Sequence, residues 1–364
     1  MTFDSTRRAL RAAALIALPA ACCLAAQPAS AGAERELYRL ESALTLKSAN
    51  EPDWDYLAFD AQRAHLFISR REDGILVYDV NTKKPVKTIA QSEGGNATVL
   101  IPEFDRGYVI KEDGTGTAFK LSTLETIEPL KFGASADNGF YDPVTKQFVI
   151  TMSDDKLAAF VDAQTGKVVG TLAVDSSKLE GTAPDGKGNL FMALRDRNKV
   201  LRIDARQRKV TGEWSPPGCE LPTGLAYDTT AHRVFVSCRG DKPILAVLDP
   251  ESGKVVASPT IGHGSDGVVF DAQAHRIYSS NGFDGTLVVI DQVDANTYKL
   301  SEAITTRPYA RTMALDPKTK KVYLVTAEGA VDPSKPWNKN TADFYPNVFY
   351  KDTFTLLTYS RQRP

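Results

Sequence analysis

The 364-residue sequence balances 44 lysines and arginines against 45 aspartates and glutamates, a formal net charge of −1. Such a chain has no overall attraction for a nucleic-acid polyanion, so polyanion binding would have to rest on a local basic patch. Apart from an N-terminal run too short to span a bilayer, no apolar stretch approaches transmembrane length, so no membrane-spanning helix is expected.

At the N-terminus Arg7, Arg8 and Arg11 precede an alanine-rich apolar run, Ala12 to Ala26, followed by the small-x-small sequence Ala29-Ser30-Ala31. This reads as a secretory signal over residues 1–31, with Gly32 the first mature residue and a periplasmic or secreted product. Sec export is favoured over the twin-arginine route. A lipoprotein anchor at Cys22 or Cys23 is the lesser alternative, because Pro19 and Ala20 fit a lipobox poorly. Residues 32–364 then form a single domain, and a monomer is expected.

The mature part repeats. Tyr56-Leu57-Ala58-Phe59-Asp60 recurs as Val99-Leu100-Ile101-Pro102, Gly139-Phe140-Tyr141-Asp142, Gly181-Thr182-Ala183-Pro184-Asp185, Gly224-Leu225-Ala226-Tyr227-Asp228, Gly267-Val268-Val269-Phe270-Asp271 and Thr312-Met313-Ala314-Leu315-Asp316. The closing turn residues recur every 40 to 45 positions, the period of a propeller blade. After each strand A come a turn and a β-rich strand B, such as Val234-Phe235-Val236. A strand C follows, such as Ile75-Leu76-Val77-Tyr78-Asp79, and then a strand D, such as Lys167 to Leu172. The seventh unit reaches strand C at Phe354–Tyr359 and lacks strand D, whereas Leu37–Leu46 is a strand without a unit. The expected architecture is an all-β, seven-bladed β-propeller. It has four antiparallel strands per blade, and the N-terminal strand closes the ring onto the last blade.

The segments Trp54-Asp55-Tyr56-Leu57-Ala58-Phe59-Asp60, Pro222-Thr223-Gly224-Leu225-Ala226, Asp266-Gly267-Val268-Val269-Phe270-Asp271, Ser280-Asn281-Gly282 and Arg311-Thr312-Met313-Ala314-Leu315-Asp316-Pro317 resemble the YVTN-type, YncE-like propellers of the bacterial periplasm. The resemblance covers the mature chain. It implies a fold family and no particular reaction.

Strand A lines the channel of a propeller, so the position five residues before each turn residue forms a ring at one mouth. That ring reads Asp55, Ala97, Asp137, Glu180, Thr223, Asp266 and Arg311. Two carboxylates ~8 Å apart repel by about 2 kcal/mol at an effective dielectric near 20. Four of them on one ring predict raised pKa values or a bound cation. The ligand is then a divalent cation, Ca²⁺ or Mg²⁺, on Asp137, Glu180 and Asp266, or an organic cationic group. The competing account has the acids capping backbone amides or pairing with Arg311. His263, in the neighbouring connection, is the one imidazole near the ring. His65, His232 and His275 belong to the opposite A–B turns. The long B–C loop of unit seven, residues 328–351, carries Trp337 and four further aromatics, as a lid, a partner surface or plain packing.

Cys219 and Cys238 flank strands A and B of unit five, where antiparallel pairing brings them to the mouth face. A disulfide there closes a loop worth roughly 3 kcal/mol. No Gly-x-Ser-x-Gly, HExxH or Cys-x-x-Cys-His occurs.

Three functions compete. The first is a periplasmic scaffold that binds a small ligand or an envelope protein and is not an enzyme. The second is a gluconolactonase-like, metal-dependent hydrolase using Asp137, Asn138, Glu180 and Asp266, an analogy of fold only. The third is nucleic-acid or envelope-polymer binding through Arg195, Arg197, Arg202, Arg206, Arg208 and Lys209.

Overall fold

The polar residue that ends each strand A sets the local geometry. Asp60 accepts the backbone N–H groups of Gln62 and Arg63, and Asp228 those of Thr230 and Ala231. Asp142, Asp185, Asp271 and Asp316 do the same in their own turns. These Asx turns satisfy amides that strand pairing leaves over, and they reverse the chain within four or five residues. Pro102 substitutes a short 3₁₀ turn, Pro102–Phe104. The last turn residue is left-handed in all seven units: Ala64, Asp105, Lys146, Gly188, His232, His275 and Lys320. His232 and His275 are therefore turn residues, and His65 opens strand B.

The computed structural model describes residues 36–335 and 345–362. Seven four-stranded antiparallel sheets follow one another. Blade 1 comprises Leu57–Asp60, His65–Ser69, Ile75–Asp79 and Lys84–Thr88. Blades 2 to 6 repeat this A-B-C-D order. Blade 7 takes Met313–Leu315, Val322–Thr326 and Thr355–Gln362 from the C-terminal end. Its outer strand, Leu37–Thr45, comes from the N-terminal end. The chain is a seven-bladed β-propeller closed as the repeat predicts. Residues 1–31, expected from the sequence to be a signal peptide, and Trp337 lie outside the described residues. Among the described residues no helix is long and apolar enough to cross a membrane.

Apolar faces of successive sheets stack into the core. Tyr108 of blade 2 stacks on Phe148 of blade 3, with ring centroids 4.7 Å apart. Phe67 of blade 1 meets Phe119 of blade 2 at 5.7 Å. At the axis the inner strands crowd together. A Cβ on Gly181 would lie 2.5 Å from the Thr223 carbonyl oxygen, and one on Gly224 would lie 3.0 Å from the Val268 nitrogen. The glycine of the repeated motif is thus what lets neighbouring blades converge. At the seam between the two chain ends, the Tyr38 hydroxyl donates to the Lys320 carbonyl (2.7 Å), and Glu302 accepts the Tyr38 N–H (2.7 Å).

Candidate functional site at the channel mouth

Strand A begins at the mouth, and neighbouring blades are tied together there. The Tyr56 N–H donates to the Asn96 carbonyl (3.2 Å), and the Thr312 hydroxyl donates to the Asp55 carbonyl (2.7 Å). This crosslinking fixes the side chains on either side of it. Asp55, Asp137, Glu180, Asp266 and Arg311 all line one open cavity of about 320 Å³. Five of the eight predicted ligand residues therefore meet. Thr223 is buried and donates to the Leu221 carbonyl (2.9 Å), outside the cavity lining. His263 is half-exposed; its Nδ1 lies 3.1 Å from Asp284, also outside the lining.

The mouth is not a bare acidic ring. Arg71 donates to Asp55 (2.9 Å) and Arg195 contacts Glu180 (3.0 Å). Arg239 pairs with one oxygen of Asp266, and Arg311 with the other (2.8 Å). Arg311 also reaches Asp55 at 3.6 Å. Only the Arg311 pairing was anticipated. Arg71, Arg195 and Arg239 sit ten or eleven residues past Asp60, Asp185 and Asp228, at the exit of strand B. The same repeat arithmetic that found the first ring would have found this second one. Tyr56, Glu112, Asp154 and Lys178 also line the cavity, with Phe283 and Tyr309 on its rim.

Arginine pairing does not offset the burial. Asp55, at 8 % exposure, is pushed up to about 7 by desolvation, against the pull of Arg311 and with a further push from Asp137. Asp137 rises to about 7 through desolvation and the charge of Glu180. Glu180 reaches about 7 through desolvation, opposed by Arg195 and reinforced by Asp266. Desolvation first, and then the charges of Asp137, Asp55, Glu180 and Asp266, raise the Tyr56 phenol well above its ordinary value. Burial and mutual repulsion therefore favour the protonated forms of these acids.

Asn138 has its amide oxygen on the N–H of Gly139 (2.7 Å) and does not line the cavity. Among the described residues, no three His, Cys, Asp or Glu side chains stand together as a metal-ligand set. The proposed basic stripe divides between the two ends of Lys199–Asp204. Arg195 and Arg197 precede that strand, whereas Arg206, Arg208 and Lys209 follow it. Cys219 and Cys238 form the expected disulfide, with Cα atoms 5.0 Å apart. The bridge anchors the backbone one residue before Arg239. In the long loop, Gly329–Ala330 pairs with Val348–Phe349. Tyr345 packs against Phe283 (5.0 Å) and Tyr309 (5.7 Å), and Phe349 against Trp54 (4.8 Å). The described part of the loop thus packs on the rim.

No family model matches the chain, and no curated protein matches it. Among solved structures it is similar to a chain of the mitotic checkpoint complex, with a TM-score of 0.68 and 12 % identity over 86 % of this chain and 95 % of that one. It is also similar to a chain of Kuenenia stuttgartiensis hydrazine synthase, with a TM-score of 0.63 and 15 % identity over 77 % and 94 % of the two chains. At such identities the likeness establishes the β-propeller fold and nothing of a ligand or a reaction.

Proposed function

We propose that this propeller is an exported, non-catalytic scaffold whose channel mouth binds a small polar ligand. The observation that carries this reading is the cavity itself, where side chains from separate blades converge buried charge on one solvent-open volume. Keeping several carboxylates in so desolvated a place costs stability, and such costs concentrate at binding sites. Export agrees with the N-terminal signal pattern and with a disulfide, which persists in an oxidising compartment. Binding is favoured over metal-assisted hydrolysis because Glu180 and Asp266 are committed to arginines and Asn138 is turned to its own backbone.

Thermal-shift and calorimetric titration with cationic, zwitterionic and anionic small molecules, and with Ca²⁺ and Mg²⁺, tests the reading. Binding should occur and be lost in Asp55→Ala/Glu180→Ala protein. Saturable binding unaffected by those changes would place the site elsewhere. Chelator-sensitive turnover of a lactone panel would overturn the non-catalytic assignment. N-terminal sequencing of protein from the envelope fraction should begin at Gly32.

A further inference from the structure

The ion pairs of the mouth form an arc of alternating sign. Glu112 pairs with Arg71 (2.9 Å), Arg71 with Asp55 (2.9 Å), Asp55 with Arg311 (3.6 Å), Arg311 with Asp266 (2.8 Å), and Asp266 with Arg239. The arc runs from blade 2 through blades 1, 7 and 6 to blade 5. Glu180 and Arg195 form a separate pair on blade 4. Asp137, on blade 3, is the acid that the pattern leaves over. Among the described residues no lysine or arginine pairs with it, and its side chain accepts only the Asn96 amide (2.8 Å).

We infer that the ligand of this cavity is a small monovalent organic cation bearing N–H donors, a primary ammonium or guanidinium, seated against Asp137 between blades 3 and 4. The inference rests on the mouth being the ligand site. Three further observations support it. First, above neutral pH, where its acids have released their protons, the lining carries six carboxylates (Asp55, Glu112, Asp137, Asp154, Glu180, Asp266) and five cations (Arg71, Lys178, Arg195, Arg239, Arg311), so a single positive charge neutralises it. Secondly, the Glu180 carboxylate acts on Asp137 more strongly than does Arg71, which opposes it without pairing, so a cation between the two acids relieves a repulsion as well as gaining an ion pair. Thirdly, Tyr56 lines the same cavity, and its hydroxyl has no hydrogen-bond partner among the described residues, which leaves it free to bond a ligand.

The donor set also discriminates between cations. Ca²⁺ takes six to eight oxygen ligands and Mg²⁺ needs a near-ideal octahedron, whereas Asp55, Glu180 and Asp266 already face guanidinium groups. A quaternary ammonium is recognised by an aromatic cage. Here Tyr56 is the one lining ring close to Asp137, and Phe283 and Tyr309 stand on blades 6 and 7, so no cage of rings surrounds that acid. The cavity is near the lower end of ligand-pocket volumes, which sets the ligand's size.

Calorimetric titration at pH 8 with n-butylguanidinium, n-butylammonium, tetramethylammonium, butyrate, Ca²⁺ and Mg²⁺ tests the inference. One or both N–H cations should bind most tightly. Asp137→Asn, which keeps the side-chain shape and loses the charge, should weaken them at least tenfold. Tyr56→Phe should weaken them severalfold, and it serves alone if Asp137→Asn does not fold. Equal affinity in wild type and variants overturns the inference. Tighter binding of butyrate, tetramethylammonium or a divalent ion also overturns it, while leaving the mouth as a ligand site. If no member of the panel binds and the broader panel above fails too, both readings fall.

Discussion

Each inner strand can carry a carboxylate at either end, and the two ends use it differently. At the turn end, Asp60, Asp142, Asp185, Asp228, Asp271 and Asp316 are almost wholly buried, yet each accepts backbone N–H groups from its own turn. At the mouth end, Asp55, Asp137 and Glu180 are also deeply placed, but they face one another and arginines from other blades. A carboxylate held by its own backbone is part of the fold. One held only by distant side chains is available to a ligand, and the cost of burying it appears as a raised pKa.

This contrast can be broken by mutation. The largest effect is expected for Arg311→Ala, which strips the shared partner from Asp55 and Asp266. Urea unfolding at pH 8 should show a loss of about 3 kcal/mol, after allowance for the arginine's partial exposure. The loss should shrink at pH 5; an equal loss at both would mean that the ring is not electrostatically coupled. Cys219→Ser/Cys238→Ser should cost about 3 kcal/mol at either pH, because chain entropy does not titrate. Retention of full stability would show that the bridge is dispensable.

At the turn end, Asp228→Ala removes two backbone hydrogen bonds and the Gln292 amide contact (2.8 Å). About 2 kcal/mol should be lost at pH 5 and pH 8 alike. Asp137→Asn should act in the opposite direction. A carboxyl whose folded pKa is near 7, against 3.8 unfolded, stabilises the fold only while protonated. That contribution is complete below about pH 4 and disappears as pH rises through 7. The variant should therefore match wild type at pH 4 and below, draw ahead as pH rises, and exceed it by about 1 kcal/mol at pH 8, a small rise in Tm. A destabilised variant at pH 8 would place Asp137 among the structural acids. Asp55 and Glu180 share this sign, so wild-type stability should fall between pH 5 and pH 8.

Much of this was legible in the residues. A strand and an Asx turn are local, so the motif ending in Asp60 or Asp228 announces the blade. Rigid repetition then places equivalent positions around one axis, which is why Asp55, Asp137, Glu180, Asp266 and Arg311 could be grouped across 256 positions of sequence. The arginine ring was less visible, because Arg71, Arg195 and Arg239 leave strand B in only three units. Glu112, Ser153 and Phe283 stand near the corresponding place in others. The orientations of Thr223 and His263 were not legible at all. Each is decided by a nearby acceptor, the Leu221 carbonyl and the Asp284 carboxylate, which loop geometry brings into reach.

The sequence by itself determined the seven blades, the ring closure by the N-terminal strand, and the pairing of Cys219 with Cys238. The blades and the disulfide follow from hydrophobic alternation, turn chemistry and a fixed period, and the closure follows from a strand missing at one end of the repeats and spare at the other. Only the tertiary structure decided which acids are neutralised and which is left over. Long arginine side chains reach across blade boundaries, and the partner each finds depends on distances that no single repeat contains.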